Sequence, residues 1–251
     1  MRDFGQVCVY TAICGSYDRL KAQPVQTVEC DWICFSDTPI NPVGNWKISH
    51  IGYTGGATDP RLAAKYFKIL SHQVFPGGWL DAGAGTFGTT HYDHILWIDG
   101  SVQVLRPDFV ELMLSSIGDG GWAMFRHPER SCIYTEAAES GQMVKYQGMK
   151  IADQADAYRR VGYPAARGLW AGGFIARRTD AHHLAAINDL WWRENMQWTL
   201  QDQISLPVVL WRLGLTVDSV PAPFVSDYFG FDVAHRMGEW QKIPAHARTV
   251  H

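Results

Sequence analysis

The sequence predicts an α/β fold: a central, mostly parallel sheet flanked by helices within one domain. Strand-like apolar runs alternate with amphipathic helical runs along nearly the whole chain, a pattern typical of parallel strands joined by crossover helices. The run Ile95–Ile98 is short, apolar and bounded by polar residues, which indicates a strand covered on both faces. No internal repeat or low-complexity linker divides the chain.

Three strands are predicted in the N-terminal part. Val7–Ile13 is apolar and rich in β-forming residues, and the turn-forming run Gly15–Asp18 ends it. Asp31–Phe35 is a second apolar run, which ends at Ser36-Asp37-Thr38-Pro39. Trp46–Ile51 contains more polar residues, so we expect a third, more exposed strand.

A helix and a glycine-rich segment follow. Asp59 is the expected N-cap residue and Pro60 the first helical residue. The apolar residues that give this helix one buried stripe are Leu62, Tyr66, Ile69 and Leu70. Residues 76–93 contain five glycines and no periodicity, so they predict a surface loop, either a lid that orders on binding or a tolerated insertion.

The second half of the chain continues the alternation. Ile95–Ile98 is the next strand, Pro107-Asp108 begins a helix that extends to Ile117, and Trp122–Phe125 is another strand. The remaining predicted elements are interrupted helices over 134–162, a strand Leu169–Ala176, a helix capped by Thr179 that runs towards Glu194, and a helix Leu200–Leu213. We expect one domain over residues 1–222 and a tail over 223–251 that completes the site.

Charge and cysteine content exclude some classes of protein. The formal net charge is −3 and the pI about 6.3, so global electrostatics favour neither nucleic acid nor an anionic membrane as partner. Five cysteines without a C-x-x-C motif indicate buried thiols in a reducing compartment. There is no signal-peptide core and no apolar run near the ~20 residues of a membrane span, so we expect a cytoplasmic protein.

The strand Ile95–Ile98 ends abruptly in Asp99-Gly100-Ser101. Open α/β sheets bind ligands at the carboxyl ends of their strands, where this carboxylate is expected to lie. Asp99 can there meet a hard cation, and Gly100 lets a phosphate or sugar approach the backbone. A nucleotide-sugar transferase needs this arrangement. The alternative is an aspartate that merely starts a turn after a strand.

Six motifs, in this order, carry a resemblance to a known family. They are Val9-Tyr10-Thr11-Ala12-Ile13-x-Gly15-x-Tyr17-Asp18, Asp31-Trp32-Ile33-Cys34-Phe35-Ser36-Asp37, Asp59-Pro60-Arg61-x-Ala63-x-x-x-Phe67-Lys68, Trp97-Ile98-Asp99-Gly100-Ser101, His127-Pro128-x-Arg130-x-Cys132-x-Tyr134-x-Glu136-Ala137 and Asp202-Gln203-x-Ser205. Over residues 7–215 they resemble the glycosyltransferase-like domain shared by plant mucilage and turgor-regulation proteins and by bacterial and phage proteins. That domain is regarded as a relative of the GT-A glycosyltransferases. The resemblance implies a GT-A-like (Rossmann-like) domain, a nucleotide-diphosphate-sugar donor with UDP as the expected carrier, and a divalent cation.

The resemblance also implies a donor site. Thr11, Ala12 and Tyr17 would flank the base and ribose, and Asp37 would accept a hydrogen bond from ribose or base. The other donor-binding residues that it implies are Arg61, Lys65, Asp99, Ser101, Arg130, Gly172, Gly173 and Gln203. Cations on the first helix would neutralise the departing diphosphate, although several cations on one helix also suit a solvated face.

Two carboxylates are candidates for assisting the acceptor hydroxyl. Asp202 is the best candidate for a base or a sugar-contacting carboxylate, because the resemblance places Asp202-Gln203 in the pocket. Glu136 is either a base or the buried partner that orients Arg130. Trp170, Trp191 or Trp198 would stack a sugar.

The divalent cation, Mn²⁺ or Mg²⁺, would bind Asp99, with His235 of the tail as a further ligand. A mixed nitrogen and oxygen ligand set suits manganese. GT-A enzymes commonly carry a second carboxylate two positions on, but here Ser101 stands there, and its hydroxyl is a weaker ligand. Metal-independent activity therefore stays open.

The acceptor would be a hydroxyl group of a glycan, a small molecule, a protein or a modified nucleic acid base. Two other functions stay open. One is a catalytically silent module that binds a glycan or nucleotide, which Ser101 favours. The other is a ceramidase-like hydrolase, although no dense histidine–aspartate metal cluster is visible in the sequence.

Overall fold

A mixed β-sheet is the central element of the fold. The structure is a computed structural model that describes residues 3–52, 56–75, 91–224 and 228–231. Its strands are β1 (Val7–Ile13), β2 (Asp31–Ser36), β3 (Trp46–His50), β4 (His94–Ile98), β5 (Val102–Val104), β6 (Trp122–Arg126), β7 (Trp170–Arg178), β8 (Asp218–Ser219) and β9 (Phe229–Phe231). Its helices are α1 (Pro60–Ile69), α2 (Ser71–Val74), α3 (Phe109–Ser115), α4 (Ile133–Ser140), α5 (Ile151–Arg160), α6 (Leu184–Gln197) and α7 (Asp202–Leu213), with a 3₁₀ turn at Val144–Tyr146.

Seven of these strands form one sheet in the order β3–β2–β1–β4–β7–β6–β8. The pairings β1–β2, β1–β4, β2–β3 and β6–β8 are parallel, whereas β7 is antiparallel to both β4 and β6. This topology confirms the predicted α/β class with a mostly parallel sheet. Because β1, β4 and β6 run in one direction, their carboxyl ends meet the start of β7 at one edge of the sheet.

The sheet is covered on both faces, which explains its continuous apolar strands. All seven residues of β1 are buried. Tyr10 and Ala12 belong to a core that α1, α2, α6 and α7 also fill, whereas Val9 and Ile13 belong to the opposite core with α3. Successive strand residues point to opposite faces, so a strand buried on both sides has no polar alternation.

The local sequence predicted the start of α1 correctly and the start of α6 wrongly. Asp59 caps α1 as predicted, because its side chain accepts the Arg61 backbone N–H at 2.8 Å. Thr179 does not cap a helix. Its hydroxyl donates to the Tyr92 carbonyl at 2.6 Å, and α6 begins only at Leu184. The competing partner lies far away in the sequence, so the local pattern could not reveal it.

Part of the predicted tail, Phe229–Phe231, forms strand β9. Strand β9 pairs antiparallel with β5, which directly follows Ser101. The predicted glycine-rich loop lies outside the described residues over 76–90, and so does His235. All five cysteines are free, in agreement with the expected thiols. None of the described helices combines the length and apolarity needed to cross a bilayer.

Candidate active site

A cavity of about 510 Å³ opens at the carboxyl edge of the sheet. Its walls come from the ends of β1, β4 and β6, the start of β7, helix α1, the 3₁₀ turn and the first turn of α7. The predicted site residues that line it are Ala12, Tyr17, Arg61, Lys65, Asp99, Ser101, Arg130, Gly172, Gly173, Asp202 and Gln203. The fold therefore brings most of the residues named from sequence into one place.

Asp99 lies directly after β4, at the position expected for it. Its backbone N–H donates to the Gly173 carbonyl at 2.9 Å, which ties the end of β4 to β7. The Trp97 indole N–H donates to Asp99 Oδ1 at 2.6 Å, and Lys68 Nζ lies 3.5 Å from the same oxygen. No described residue donates to Oδ2, and the side chain is 38% exposed. Trp97 and Lys68 thus hold the carboxylate through Oδ1, and Oδ2 is available to a ligand.

Asp202 lies beside Asp99 between two lysines of α1. Its Oδ2 is 2.8 Å from Lys65 Nζ and 2.6 Å from Lys68 Nζ. The side chains of Lys68 and Asp202 are only 4% and 6% exposed, and that of Lys65 is 18% exposed. We call Lys65, Lys68, Asp99 and Asp202 the lysine–aspartate cluster. Lys68 contacts both carboxylates of the cluster, Asp99 and Asp202.

Charge pairing inside the cluster outweighs burial at Asp202. Burial alone would raise the pKa of this carboxyl, but the ammonium groups of Lys65 and Lys68 hold the pKa well below its usual range. Burial would likewise lower the pKa of Lys68, but Asp202 and Asp99 raise it instead. A carboxylate bound so firmly in its ionised form is a poor proton acceptor at neutral pH. Asp202 therefore does not suit the role of general base that the sequence suggested.

The positions of these residues on their helices explain how the cluster is held in place. Lys65 and Lys68 are three residues apart on α1, so they share one side of the helix. Asp202 is the first residue of α7, where the N-terminal helix dipole favours a negative charge. The buried guanidinium of Arg177 donates to the Lys68 carbonyl at 2.9 Å and fixes the end of α1 against β7.

Two adjacent glycines of β7 lie under the cluster and differ in their surroundings. A Cβ atom at Gly172 would lie 3.0 Å from Lys68 Nζ and 3.7 Å from Asp202 Oδ2. A Cβ atom at Gly173 would lie 3.8 Å from Asp99 Oδ2, an ordinary van der Waals contact. Gly172 therefore makes room for the lysine, whereas Gly173 leaves space beside the available oxygen of Asp99.

This difference predicts opposite results for two alanine substitutions. Gly172→Ala is expected to displace Lys68 and to destabilise the protein by about 1–2 kcal/mol, as overpacking of a filled site does. Gly173→Ala is expected to change stability by less than about 1 kcal/mol but to weaken ligand binding in the cavity. Urea unfolding of both variants tests this. A greater loss of stability at residue 173 than at residue 172 contradicts it.

Oxygen ligands lie on the other side of Asp99, across Gly100. A Cβ atom at Gly100 would lie 2.9 Å from Asp18 Cβ and 3.0 Å from Asp18 Oδ2, so the Asp18 carboxylate packs directly on this glycine. Ser101 is only 7% exposed, lines the cavity and has no hydrogen-bond partner among the described residues. Carboxylate and hydroxyl oxygens are the ligands that hard divalent cations take.

These oxygens fit a magnesium or manganese ion that also takes ligands from its substrate. Mg²⁺ is typically held by one or two carboxylates together with substrate phosphates and water. Within the described part of the chain, no group of three histidine, cysteine or acidic side chains could hold a metal alone. The predicted ligand His235 lies outside that part.

Glu136 is absent from the cavity wall, which favours the second of its two predicted roles, the buried partner of Arg130. It is 2% exposed, and its Oε2 accepts the Arg130 Nε–H at 2.6 Å. Its Oε1 accepts hydrogen bonds from Ser140 at 2.9 Å and from Gln201 at 2.8 Å. Both oxygens are occupied behind the wall, so Glu136 is the buried partner that orients Arg130.

His127 and Arg130 form the wall itself. Nδ1 of His127 accepts the backbone N–H groups of Glu129 at 3.2 Å and Arg130 at 3.1 Å, which fixes the turn after β6. Burial lowers the pKa of His127, against the opposing effect of Glu136. His127 is therefore neutral near pH 7, and its Nδ1 is already occupied as an acceptor.

Arg61 lines the cavity, but its guanidinium is already engaged. Nε and Nη2 donate to the Asp59 carboxylate at 3.2 and 2.8 Å, and Nη1 donates to the Lys145 carbonyl at 2.6 Å. Arg61 thus ties the start of α1 to the 3₁₀ turn. These bonds use three of the five N–H donors of the guanidinium.

Thr11 and Asp37, both predicted to bind the donor, do not line the cavity. Thr11 is 2% exposed inside β1. Asp37 accepts the Gly15 backbone N–H at 2.8 Å and so shapes the loop after β1 that carries Tyr17. Gln203 does line the cavity, and its amide donates to the Trp170 carbonyl at 3.1 Å.

The tryptophans proposed to stack a sugar lie elsewhere. Trp170, Trp191 and Trp198 are absent from the cavity lining, as far as the described residues show. Trp191 is 1% exposed, and its indole N–H donates to the Asp202 carbonyl at 3.1 Å. It supports the first turn of α7 from behind. Trp97, the partner of Asp99, is the tryptophan that reaches the cavity.

Sequence reasoning left out three residues that matter here. Lys68 ends the third family motif, but the resemblance implied Arg61 and Lys65 as the donor-binding cations of that helix. Asp18 stands at the end of the first family motif, beside Tyr17, and that position was the available signal. Tyr146 lines the cavity from the 3₁₀ turn, and no sequence pattern pointed to it.

Comparison with known proteins adds two findings. The family model described as TOD1/MUCI70, glycosyltransferase-like domain, matches residues 26–225. Among solved structures, the chain is similar to the apo structure of the bifunctional glycosyltransferase WbbM, with 13% identity and a TM-score of 0.47. The match covers 83% of this chain but only 38% of the WbbM chain, well under two thirds of its length. No curated protein matches the chain significantly.

Proposed function

The chain belongs to the TOD1/MUCI70 glycosyltransferase-like family, and we propose that it transfers a sugar from a nucleotide-diphosphate sugar to a hydroxyl acceptor. UDP is the proposed carrier, and the acceptor is a hydroxyl of a glycan, small molecule, protein or modified base. One observation supports this above the others. Asp99 stands at the edge of the sheet, inside a cavity, with one oxygen fixed by Trp97 and Lys68 and the other available.

The cavity offers separate regions for the parts of such a donor. Ala12 and Tyr17 lie at the end of β1, where an aromatic side chain can contact the base. Asp99 and Ser101 lie next to them, and the two glycines of β7 follow. Because β1, β4 and β7 are neighbours in this order in the sheet, we expect the nucleoside, the diphosphate and the sugar to follow the same order.

A divalent cation is part of the proposal. Asp99 and Ser101 would hold it, with the Asp18 carboxylate beside them. When bound, such a cation supplies positive charge for the diphosphate as its bond to the sugar breaks. The chain's own residues fix the Asp99 carboxylate through Trp97 and provide the enclosed space.

The five free cysteines support a reducing, cytoplasmic location for this reaction. Two of them, Cys8 and Cys34, are completely buried.

The function is tested by incubating the protein with UDP-glucose, UDP-galactose and other nucleotide sugars, with Mn²⁺ or Mg²⁺ and a panel of hydroxyl acceptors. Release of free nucleotide that depends on an acceptor is the expected result. Donor binding without nucleotide release would instead support the catalytically silent module that Ser101 kept open. Absence of binding to any nucleotide or nucleotide sugar would overturn the proposal.

A further inference from the structure

We propose that Lys21 is a positioning residue for the cation site: from outside the cavity, it fixes the turn that carries Asp99 and Ser101. Its ammonium group donates a hydrogen bond to the Gly100 carbonyl at 2.9 Å. Lys21 is not among the described residues that line the cavity, so it acts through the backbone rather than on the ligand. The inference rests on the proposed function and adds to it a residue that none of the six motifs contains.

A β-turn carries the two proposed cation ligands, and the Val102 N–H closes it by donating to the Asp99 carbonyl at 2.9 Å. Gly100 and Ser101 are its central residues, and neither has a positive φ, as in a type I turn. Lys21 binds the carbonyl of the central peptide, which joins Gly100 to Ser101. The direction of this peptide determines where the Ser101 hydroxyl lies relative to the Asp99 carboxylate.

Gly100 gives this turn a conformational freedom that the Lys21 hydrogen bond restricts. A side chain does not fit at this position, because a Cβ atom would lie 2.9 Å from Asp18 Cβ and 3.0 Å from Asp18 Oδ2. Glycine adopts positive φ about as readily as negative φ, so on its own it lets the turn take other forms. In those forms the Ser101 hydroxyl points in another direction. A hydrogen bond from an ammonium group to the central carbonyl favours one form.

The segment that carries Lys21 is anchored by other contacts as well. It forms neither helix nor strand, yet it lies along β5. The Gln23 side-chain amide donates to the Val102 carbonyl at 3.3 Å and accepts the Val104 N–H at 2.7 Å, as a neighbouring strand would. The Trp46 indole N–H donates to the Lys21 carbonyl at 2.8 Å. These contacts hold the backbone at Lys21 when its side chain is changed.

The two cation ligands depend on Lys21 to different degrees. Trp97 holds the Asp99 carboxylate through Oδ1, and this contact does not involve Lys21. Ser101 is 7% exposed and makes no side-chain hydrogen bond within the described part of the chain, so the turn alone sets its direction. A ligand that is already fixed loses less freedom when a cation binds. Removing the Lys21 hydrogen bond is therefore expected to weaken cation binding without affecting contacts to the nucleoside.

The first test compares UDP binding with and without a cation. Affinities are measured by calorimetry in Mn²⁺ and in EDTA for wild type, Lys21→Met and Lys21→Arg, and thermal unfolding checks that each variant folds. In Lys21→Met the gain in UDP affinity from Mn²⁺ is expected to fall by about tenfold, the loss of one charged hydrogen bond, with the affinity in EDTA within about twofold of wild type. Lys21→Arg keeps a donor and is expected to restore the gain. An unchanged gain in Lys21→Met overturns the inference.

The second test reports on the turn itself. The protein is labelled with ¹⁵N-serine, and Ser101→Ala assigns the amide signal of Ser101, whose N–H belongs to the central peptide. Lys21→Met is expected to shift or broaden this signal without nucleotide, and Lys21→Arg to retain it. Lys47→Met removes an exposed ammonium group from Asp31 and is the matched control that leaves the signal unchanged. An identical Ser101 signal in wild type and Lys21→Met overturns the inference.

The two levels of the proposal fail in different ways. If wild-type protein binds neither UDP nor any UDP or GDP sugar, the proposed function is wrong, and the Ser101 signal alone decides whether Lys21 fixes the turn. If UDP binds but Mn²⁺ does not tighten it, the cation and the role of Lys21 towards it are both wrong. If Mn²⁺ tightens UDP binding equally in wild type and Lys21→Met, the function stands and Lys21 is not a positioning residue.

Discussion

Replacing Asp99 with asparagine is expected to lower kcat/KM for sugar transfer by about 10²–10³-fold, the usual loss when one electrostatic contact in a catalytic site is removed. Asparagine keeps an oxygen at Oδ1 to accept the Trp97 indole N–H, which is 2.6 Å away in the native protein. It loses the negative charge that faces Lys68 and that is proposed to hold a cation. The effect therefore concerns charge rather than packing.

Stability is expected to change little in the same variant. The Asp99 side chain is 38% exposed and its nearest ammonium group is 3.5 Å away, so solvent screens much of the interaction. Such partly exposed pairs contribute about 1 kcal/mol or less. A large loss of activity with a small loss of stability is the result expected for a residue of the active site. A residue of the core would instead lose mainly stability.

The measurement is steady-state nucleotide release at saturating acceptor, together with urea unfolding of wild type and variant. Asp156→Asn is the matched control, since its carboxylate pairs with Arg159, is 55% exposed and lies outside the cavity. We expect that control to be fully active. Activity of the Asp99 variant within threefold of wild type would contradict the role given to this carboxylate.

The fold was predictable because its signals are local. A strand buried on both faces has to be apolar throughout, and β1 and β4 have this composition. The cap of α1 involves residues only two positions apart, Asp59 and Arg61. Asp99 was predictable for the same reason, since its position follows directly from the end of β4 and the rule that ligands bind at that edge.

The partners of polar residues were not predictable, because they come from distant parts of the chain. Asp202 on α7 meets Lys65 and Lys68 on α1, and nothing near Asp202 in the sequence indicates those lysines. That pairing converts a candidate base into a fixed carboxylate. Glu136 meets Gln201, 65 residues away, and that contact places it behind the wall rather than in it.

The glycine pair in the sequence indicated where another group approaches the strand closely, but not which group this is. The resemblance implied that the pair Gly172-Gly173 binds the donor. The structure assigns the space above Gly172 to Lys68, and only Gly173 borders the open side of Asp99. Adjacent glycines indicate that another group lies close to the backbone. Only the folded structure identifies that group.

Replacing Lys68 with methionine is expected to give the largest loss of stability, about 3 kcal/mol at pH 7. Lys68 is 4% exposed and pairs with both Asp202 and Asp99, and removing one partner leaves buried charge without compensation. Methionine is close to lysine in length and fits an apolar environment, so the loss reports the charge. Urea unfolding gives the free energy of unfolding, and Lys47→Met, which removes a 59% exposed partner of Asp31, is the control expected to cost less than about 1 kcal/mol.

The pH dependence of this difference identifies its source. Burial would raise the pKa of Asp202, but the two lysines lower it well below the unfolded value of about 4. A carboxyl with a lowered pKa in the folded state contributes its full stabilisation above about pH 4 and loses it as the pH falls further. The unfolded chains of wild type and Lys68→Met titrate alike, so the gap in stability is expected to shrink as the pH falls through the higher pKa that Asp202 has in the folded variant. A gap that persists unchanged at pH 3 would mean that Lys68 stabilises the protein through its aliphatic chain rather than through its ion pair with Asp202.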